Sequence, residues 1–293
     1  MYIKSGRELI EICTKENISL GEFALRNEME ESGQSREVII EKMRKNLNAM
    51  KEAASRALDE KVISVSGLIG GDAYRINQYV KGGNTLSGDY IVKAMARAIS
   101  CSEVNASMGR IVACPTAGSC GILPAVITTA GERLNKSDDE LIMALFASSI
   151  VGVVIAQNAS ISGAEGGCQA ECGSAAAMGC AAIVDLMGGT PAMCLHGAAI
   201  VIKNILGLVC DPIAGLVEVP CAKRNAAGAV SALTTVDLVM AGVESKIPFD
   251  EVVMAMNKIG RSLPSELRET AMGGLAVTPT GLMLKKQILG GDK

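Results

Sequence analysis

Apolar positions recur every three or four residues along most of this chain, which is the period of an amphipathic helix. The clearest example runs from residue 37 to about residue 60, where VIIEKMRKNLNAMKEAASRALDE leaves one charged outer face. Residues 87–104 have the same character. Alternating β-branched runs separated by hairpin turns, which are typical of strands, do not occur. The pattern therefore predicts an all-α protein.

Helix start and stop signals divide the chain into segments. Ser137 and Glu140 have the spacing of a capping box before LIMALFASSIVGVVIAQ. Thr190 precedes Pro191, which suits the first position of a helix. The predicted N-caps are Ser5, Ser19, Ser137, Thr190 and Asp250, and the predicted helix ends lie at Gly33, Gly207 and Gly260.

Residues 111–239 are dominated by Ala, Gly, Ser, Val and Ile, with helices predicted near residues 169–187 and 225–240. Small side chains allow helix backbones to approach closely, so this part is expected to form a tightly packed core. No internal repeat, low-complexity tract or linker interrupts the chain. We therefore expect one compact helical domain over residues 1–293, with residues 1–60 as its helical N-terminal part.

One segment is long enough to cross a membrane, since residues 141–164 carry no charge. It nevertheless contains four serines, a glutamine and an asparagine, and neither a Lys/Arg cluster nor a Trp/Tyr belt flanks it. The segment is therefore interpreted as a buried core helix, and no membrane association is expected.

Composition excludes several classes of function. Hydrophobic residues make up 49% of the chain, which excludes a disordered protein, and aromatic residues make up only 2%, which leaves little for stacking on nucleic-acid bases. The net charge of -3 also argues against binding a polyanion. Phosphate-binding glycine loops and the G-x-S-x-G elbow are absent from the sequence.

Ten cysteines accompany a single histidine, which cannot by itself build a typical catalytic zinc site. The N-terminus lacks the apolar stretch of a secretory signal, so a reducing cytoplasm is expected and disulfides are not. The thiols are then core residues, redox groups or ligands of a soft metal. The single histidine, His196, is interpreted as a partly buried helix residue.

Three cysteines lie at turns or helix starts, where thiolate charge meets a helix N-terminus: Cys168, Cys210 and Cys221. Cys172 follows Cys168 by one helical turn and is able to face the same site. The cysteines expected to fill the core are Cys13, Cys101, Cys180 and Cys194. Spacing alone leaves a three-thiolate metal site and ordinary packing both open, because no C-x-x-C pair is present.

A hydroxyl-rich loop, CPTAGSCGILPAVI, leads into a predicted helix and includes Thr116 and Ser119. Exposed N–H groups at such a helix start suit a carboxylate, although an ordinary capped helix has the same pattern. Asn105, Ser107 and Arg110 precede this loop. Arg110 either pairs with a substrate carboxylate or lies on the surface.

Several strings resemble the alpha subunit of bacterial iron–sulfur L-serine dehydratases, above all GAEGGCQAECG and LVCDPIAGLVEVPCAKRN. The similarity runs from about residue 66 to residue 281. It implies an all-helical catalytic domain around a 4Fe–4S cluster held by Cys168, Cys210 and Cys221. It also implies conversion of L-serine to pyruvate and ammonia.

Within that resemblance, the hydroxyl-rich loop would hold the substrate beside the iron. Thr116 and Ser119 are the expected catalytic residues of this chain. The expected substrate-binding residues are Thr116, Ala117, Gly118, Ser119, Gly121, Asn105, Ser107 and Arg110.

Two departures from the family pattern bear on the site. The chain ends KKQILGGDK, without the C-terminal cysteine that closes the fourth iron position in single-chain relatives. That position is expected to be open, unless Cys172 or a partner fills it. The smaller domain that carries the family's histidine base is also missing, so the general base is expected on a separate beta subunit in a hetero-oligomer.

Two other functions remain open at this stage. One is a related β-elimination on the same scaffold, such as desulfhydration of L-cysteine, and the other is a non-catalytic iron–sulfur redox sensor. A pyridoxal-phosphate enzyme is disfavoured, because no pairing of a Schiff-base lysine with a phosphate loop is evident.

Overall fold

The computed structural model describes residues 3–290, and the last residues of the cysteine-free C-terminus lie outside this range. Within it the chain forms thirteen α-helices. They are α1 (Gly6–Glu16), α2 (Leu20–Ser32), α3 (Arg36–Asp59), α4 (Asp72–Lys81), α5 (Asp89–Ala106), α6 (Ile122–Leu134), α7 (Asp138–Asn158), α8 (Gly163–Gly166), α9 (Ser174–Leu186), α10 (Pro191–Asn204), α11 (Cys221–Met240), α12 (Phe249–Ser262) and α13 (Pro279–Leu289).

A π-helical turn at Gln169–Gly173 precedes α9, and 3-10 turns occur at Ile213–Gly215, Ser265–Leu267 and Gly274–Val277. Extended pairing in residues 3–290 is limited to two isolated bridges, Ile63 with Gly70 and Cys210 with Arg268. The prediction of an all-α fold is confirmed.

Four of the predicted N-caps are confirmed, because each side chain accepts a hydrogen bond from the first turn of its helix: Ser5, Ser19, Ser137 and Thr190. Ser137 and Glu140 form the complete capping box. The predicted end of α2 at Gly33 is also confirmed, and Gly33 has a left-handed backbone with φ 67°.

The predicted cap at Asp250 is wrong. Helix α12 already begins at Phe249, and the Asp250 carboxylate instead accepts hydrogen bonds from the N–H groups of Gly6 (2.7 Å) and Arg7 (3.0 Å). It therefore caps α1, whose free N–H groups come from the opposite end of the sequence.

The predicted helix ends at Gly260 and Gly207 also differ from the structure. Gly260 lies inside α12, where an added Cβ would be 2.7 Å from the Cα of Gly166, so glycine is needed there for close packing. Helix α10 ends at Asn204, three residues before Gly207. Helix α11 begins at Cys221, which confirms the helix start predicted at that cysteine and lies four residues before the segment predicted near residues 225–240.

Helix α9 forms the centre of the fold and packs against α6, α7, α10 and α11. Every residue from Ser174 to Val184 is buried. The small residues predicted for this region allow the close contacts: a Cβ at Gly197 of α10 would lie 2.7 Å from the sulfur of Cys180. This close packing holds the ends of α9 and α11, which carry the site described below, in fixed positions.

Helix α7 is the only helix in the described part of the chain that is long and apolar enough to cross a membrane. Of its most apolar window, 61% is buried, against α9 and α2 among others. That burial agrees with its interpretation as a core helix.

Candidate metal centre and adjoining hydroxyl loop

Cys168 lies in the sharp connection between α8 and the π-helical turn. Gly167, at φ 75°, makes this connection possible, because a Cβ there would lie 2.7 Å from the carbonyl oxygen of Leu208. The N–H of Gln169 donates to that same carbonyl at 3.0 Å. The Cys168 loop is thereby held against the segment that leads to Cys210.

The Gln169 side chain strengthens this arrangement. It is fully buried, and its amide nitrogen donates to the carbonyl oxygens of Gly166 and Met256, each at 3.0 Å. Its amide oxygen accepts from the N–H of Gly207 at 2.9 Å. The Gln169 side chain therefore links the Cys168 loop to α12 and to the turn after α10. Both its amide nitrogen and its amide oxygen have hydrogen-bond partners.

Cys210 is held by the C-terminal part of the chain. Its N–H donates to the carbonyl of Leu267 at 2.9 Å, and its carbonyl accepts from the N–H of Glu269 at 2.7 Å. This is the isolated parallel bridge with Arg268. Both backbone groups of Cys210 are thus paired, and its side chain faces Cys168.

The sulfurs of Cys168 and Cys210 and a carboxylate oxygen of Glu171 all lie within 4.8 Å of one another. All three residues are buried. Buried thiols and a carboxylate that converge in this way are a donor set suited to a metal. The structure therefore brings together two of the three predicted cysteine ligands and adds Glu171, which sequence reasoning did not select.

Cys221, the third predicted ligand, is the first residue of α11 and is also buried. Its sulfur is not part of the group within 4.8 Å. Burial, together with the negative charge of Cys168 and Glu171, raises the pKa of Cys221 to about 12. Cys221 is thus near enough to Cys168 and Glu171 for their negative charge to affect its thiol.

Negative charge in the site is concentrated on one sulfur. The pKa of Cys168 lies far below its usual range, because Cys172 and Cys210 donate hydrogen bonds to its sulfur and Arg224 adds positive charge. The same hydrogen bonds, with burial, raise the pKa values of Cys172 and Cys210. Cys172, which the sequence left uncertain, therefore contacts Cys168 directly.

The carboxyl of Glu171 is unusual for its position. Burial and the negative charge of Cys168 raise the pKa of Glu171 to about 7, although the Thr116 hydroxyl and the Gly163 backbone donate hydrogen bonds to it. A carboxyl and several thiols that hold protons at neutral pH would release them on binding a metal.

Glycines line the wall beside these donors. A Cβ at Gly163 would lie 2.8 Å from a carboxylate oxygen of Glu171 and 3.1 Å from the sulfur of Cys210. A Cβ at Gly118 would lie 3.1 Å from both oxygens of Glu171. The backbone at both glycines therefore packs directly against the donors, where a side chain would collide with them. The buried thiols and carboxylate are a donor set that fits a metal group.

A second feature that the sequence did not single out is Arg224, three residues after Cys221. Its Nη1 donates to the sulfur of Cys168 at 3.4 Å and to the carbonyl of Val209 at 2.8 Å. Its Nη2 donates to Asp211 at 2.8 Å. No local signal marked Arg224, because it stands between Lys223 and Asn225 at a polar helix start and its burial follows only from the fold.

The predicted hydroxyl loop adjoins this site, because the Thr116 side chain reaches Glu171. Thr116 Oγ1 and Ser119 Oγ are 3.1 Å apart, and Ser119 is fully buried. The N–H of Gly121 donates to the Asn225 side-chain oxygen at 2.8 Å, so that N–H already has a partner.

Asn225 links this loop to the third cysteine. Its side-chain nitrogen donates to the carbonyl of Gly118 at 2.7 Å and to the carbonyl of Cys221 at 2.9 Å. With its oxygen bound to the N–H of Gly121, a single buried amide fixes the loop relative to the start of α11.

The remaining predicted residues lie further out. Asn105 donates to the carbonyl of Ala117 at 3.3 Å and so supports the loop from outside. Ser107 bonds back to the carbonyl of Val104 at the end of α5. The Arg110 side chain is 70% exposed and forms an ion pair with Glu52, which matches the surface alternative. His196 lies half-buried in α10, as expected for a helix histidine.

Comparison with known proteins shows which family has a sequence similar to that of this chain. The sequence model described as "Serine dehydratase alpha chain" matches residues 15–276, which include the Cys168, Cys210 and Cys221 positions and the hydroxyl loop. The chain is 50% identical over 288 residues to the probable L-serine dehydratase alpha chain of Bacillus subtilis, across 98% of this chain and 96% of that protein.

Two further relatives differ in how much of their length is matched. The L-serine dehydratase alpha chain of Peptoniphilus asaccharolyticus is 46% identical over 287 residues, covering 98% of both chains. The L-serine dehydratase of Streptomyces coelicolor is 32% identical over 284 residues, which are 94% of this chain but 60% of that protein.

Proposed function

Because this chain belongs to the serine dehydratase alpha-chain family, we propose that it is a lyase subunit that converts L-serine to pyruvate and ammonia. The observation that carries the proposal is the convergence of Cys168, Cys210 and Glu171 in a buried site beside the Thr116 hydroxyl. Removal of the Cα proton and loss of the hydroxyl as water give an enamine, whose imine tautomer water hydrolyses to the two products.

We propose that Cys168, Cys210 and Cys221 hold a 4Fe–4S cluster. The burial of all three cysteines, the hydrogen bonds to Cys168 and the convergence of Cys168 with Cys210 support this ligand set. When bound, such a cluster supplies a Lewis-acidic iron for the serine hydroxyl, which is a poor leaving group.

The hydroxyl loop is proposed to hold the substrate carboxylate. Thr116 donates a hydrogen bond to Glu171, so a substrate bound by this loop would lie beside the sulfur donors. Ser119, Ala117 and Gly118 form the rest of this binding loop, and Gly121 shapes it through its bond to Asn225. Asn105, Ser107 and Arg110 stay predicted substrate-binding residues at its periphery.

A partner chain is proposed to complete the active site. Two of the relatives are named alpha chains, and the relative from Streptomyces coelicolor, named without a chain designation, has 40% of its length outside the match. The only histidine of this chain, His196, lies in α10, and no observation connects it to the site. A beta subunit that brings the general base, in a cytoplasmic hetero-oligomer, accounts for these facts.

We also propose that residues 1–293 act as one domain. Contacts of α1 with α10 and α12, and of α2 with α7, support this, because they join residues 1–60 to the core.

The test uses the chain reconstituted with iron and sulfide without oxygen, alone and mixed with its partner chain. We expect the complex to form pyruvate and ammonia from L-serine in equal amounts, and the isolated chain to be far slower. A Ser119→Ala variant should raise KM for serine, whereas Ser149→Ala, in α7, should leave it unchanged. Preference for L-cysteine over L-serine, or a cluster-loaded complex with no turnover, would contradict the proposal.

A further inference from the structure

Arg224 donates a side-chain hydrogen bond to the sulfur of Cys168, one of the proposed ligands. Its side chain is 16% exposed, and its partner Asp211 is 4% exposed. We propose that Arg224, held by Asp211, is a positioning residue that fixes Cys168 as a ligand and sets the reduction potential of the group bound there. This inference rests on the proposed function, because it requires the cluster to bind at Cys168.

The guanidinium of Arg224 has three acceptors that lie on different sides of it. They are the sulfur of Cys168, the carbonyl oxygen of Val209 and the carboxylate of Asp211. The planar fork of an arginine donates to all three at once, whereas the single ammonium of a lysine does not match this spread. The hydrogen bonds of Arg224 to Val209 and Asp211 therefore hold its guanidinium in place against the sulfur of Cys168.

Asp211 is itself immobilised from a second side. Its other carboxylate oxygen accepts from the N–H of Leu275 at 2.8 Å. Gly274, at φ 58°, allows that backbone to press against the Asp211 side chain, where a Cβ would collide with it. The chain of contacts runs from the C-terminal segment through Asp211 and Arg224 to Cys168, immediately beside Cys210.

A buried positive charge and an N–H···S bond stabilise the more negative, reduced form of an iron–sulfur group. A hydrogen bond to a charged acceptor is strong enough to change an equilibrium about tenfold. We therefore expect loss of Arg224 to make reduction about tenfold less favourable, which is ~59 mV for a one-electron couple. Removing the Asp211 charge should shift the potential in the opposite direction.

The test compares Arg224→Gln with Lys223→Gln in the reconstituted full-length chain. Lys223 is the preceding residue on α11, carries the same charge and pairs with Asp72 at the surface, so it controls for the loss of one charge. Iron and sulfide content, circular dichroism, the midpoint potential and the rate of cluster loss to a chelator are measured for each. Arg224→Gln should lower the potential and speed cluster loss, while Lys223→Gln should change neither.

An Arg224→Gln chain that is folded and has the wild-type potential and cluster lifetime would overturn the inference. If Arg224→Gln takes up no cluster, the same measurements on Arg224→Lys and Asp211→Asn test the inference instead. The inference requires Asp211→Asn to raise the potential and Arg224→Lys to lose its cluster faster than the wild type, and unchanged values in both would overturn it. A wild-type chain that binds no cluster would instead defeat the proposed function, and this inference with it.

Discussion

Asn225 gives the most direct link between the loop that we propose binds substrate and the third proposed cluster ligand. The residue is 1% exposed, and its side chain makes three hydrogen bonds, to Gly118, Gly121 and Cys221. Replacing it with alanine removes all three and leaves the buried N–H of Gly121 without its partner. The structure therefore predicts effects on both stability and substrate binding.

The expected cost follows from these contacts. A net hydrogen bond is worth ~1 kcal/mol, and a buried donor left unpaired costs about 1–3 kcal/mol. Because one of the carbonyls, that of Cys221, keeps its helical bond, we expect Asn225→Ala to lower the free energy of unfolding by about 3 kcal/mol. Release of the loop should also raise KM for serine about tenfold, which corresponds to ~1.4 kcal/mol of lost binding.

Urea unfolding of the metal-free chain measures the first effect, and steady-state kinetics of the reconstituted complex measures the second. Thr234→Ala is the matched control, since Thr234 lies on the exposed face of the same helix and bonds only to its own helix backbone. A change in unfolding free energy below about 0.5 kcal/mol in Asn225→Ala, the range of ordinary surface substitutions, would refute the reasoning.

Three further predictions concern other parts of the fold. Burial raises the pKa of Glu103 above 4.5, so its contribution to stability is full below pH 4.5 and is lost as pH rises through the folded pKa. As pH rises above 4.5, urea unfolding should therefore show Glu103→Gln gaining stability relative to the wild type, and parallel curves would contradict this. Gly163→Ala should reduce iron uptake, because its Cβ would enter the donor site, while Gly152→Ala, which meets only the flexible end of a methionine, should not. Asp250→Ala should cost about 1 kcal/mol in thermal unfolding through loss of the cap on α1, and an unchanged midpoint would be evidence against that cap.

Local signals predicted much of the helical framework. Ser5, Ser137 and Thr190 cap their helices as expected, because capping depends on residues three positions apart. Helix α13 was missed although Thr278 and Pro279 repeat the Thr-Pro signal of α10. Helix α4 follows Gly71 and has no side-chain cap, so no such signal marked its start.

The predictions that failed depended on contacts distant in sequence. The Asp250 carboxylate accepts a hydrogen bond from the N–H of Gly6 at the start of α1, 244 residues away in sequence. Gly260 serves the close approach of Gly166, which periodicity along α12 does not reveal. In both cases the residue type suited a local role as a helix cap or helix end. The residue instead contacts a segment that is distant in sequence and becomes its neighbour only in the folded chain.

The sequence indicated the cysteines of the candidate site, but it did not indicate the other residues that line the site. Cys168 and Cys210 are marked by turns and glycines, and the fold brings them together. Glu171 and Arg224 act through side chains that converge from separate elements, and nothing in their spacing indicates this. The burial that raises the pKa of Glu171 is likewise a property of the packed structure alone.

The most direct test of the proposed centre is an oxygen-free measurement of visible absorption with iron and sulfide content for four variants beside the wild type. These are Cys168→Ala, Cys210→Ala, Cys221→Ala and the control Cys194→Ala, whose sulfur is buried in the core. The wild type and the control should bind the cluster, and each of the other three should lose most of it. An intact cluster in all three would contradict the ligand assignment.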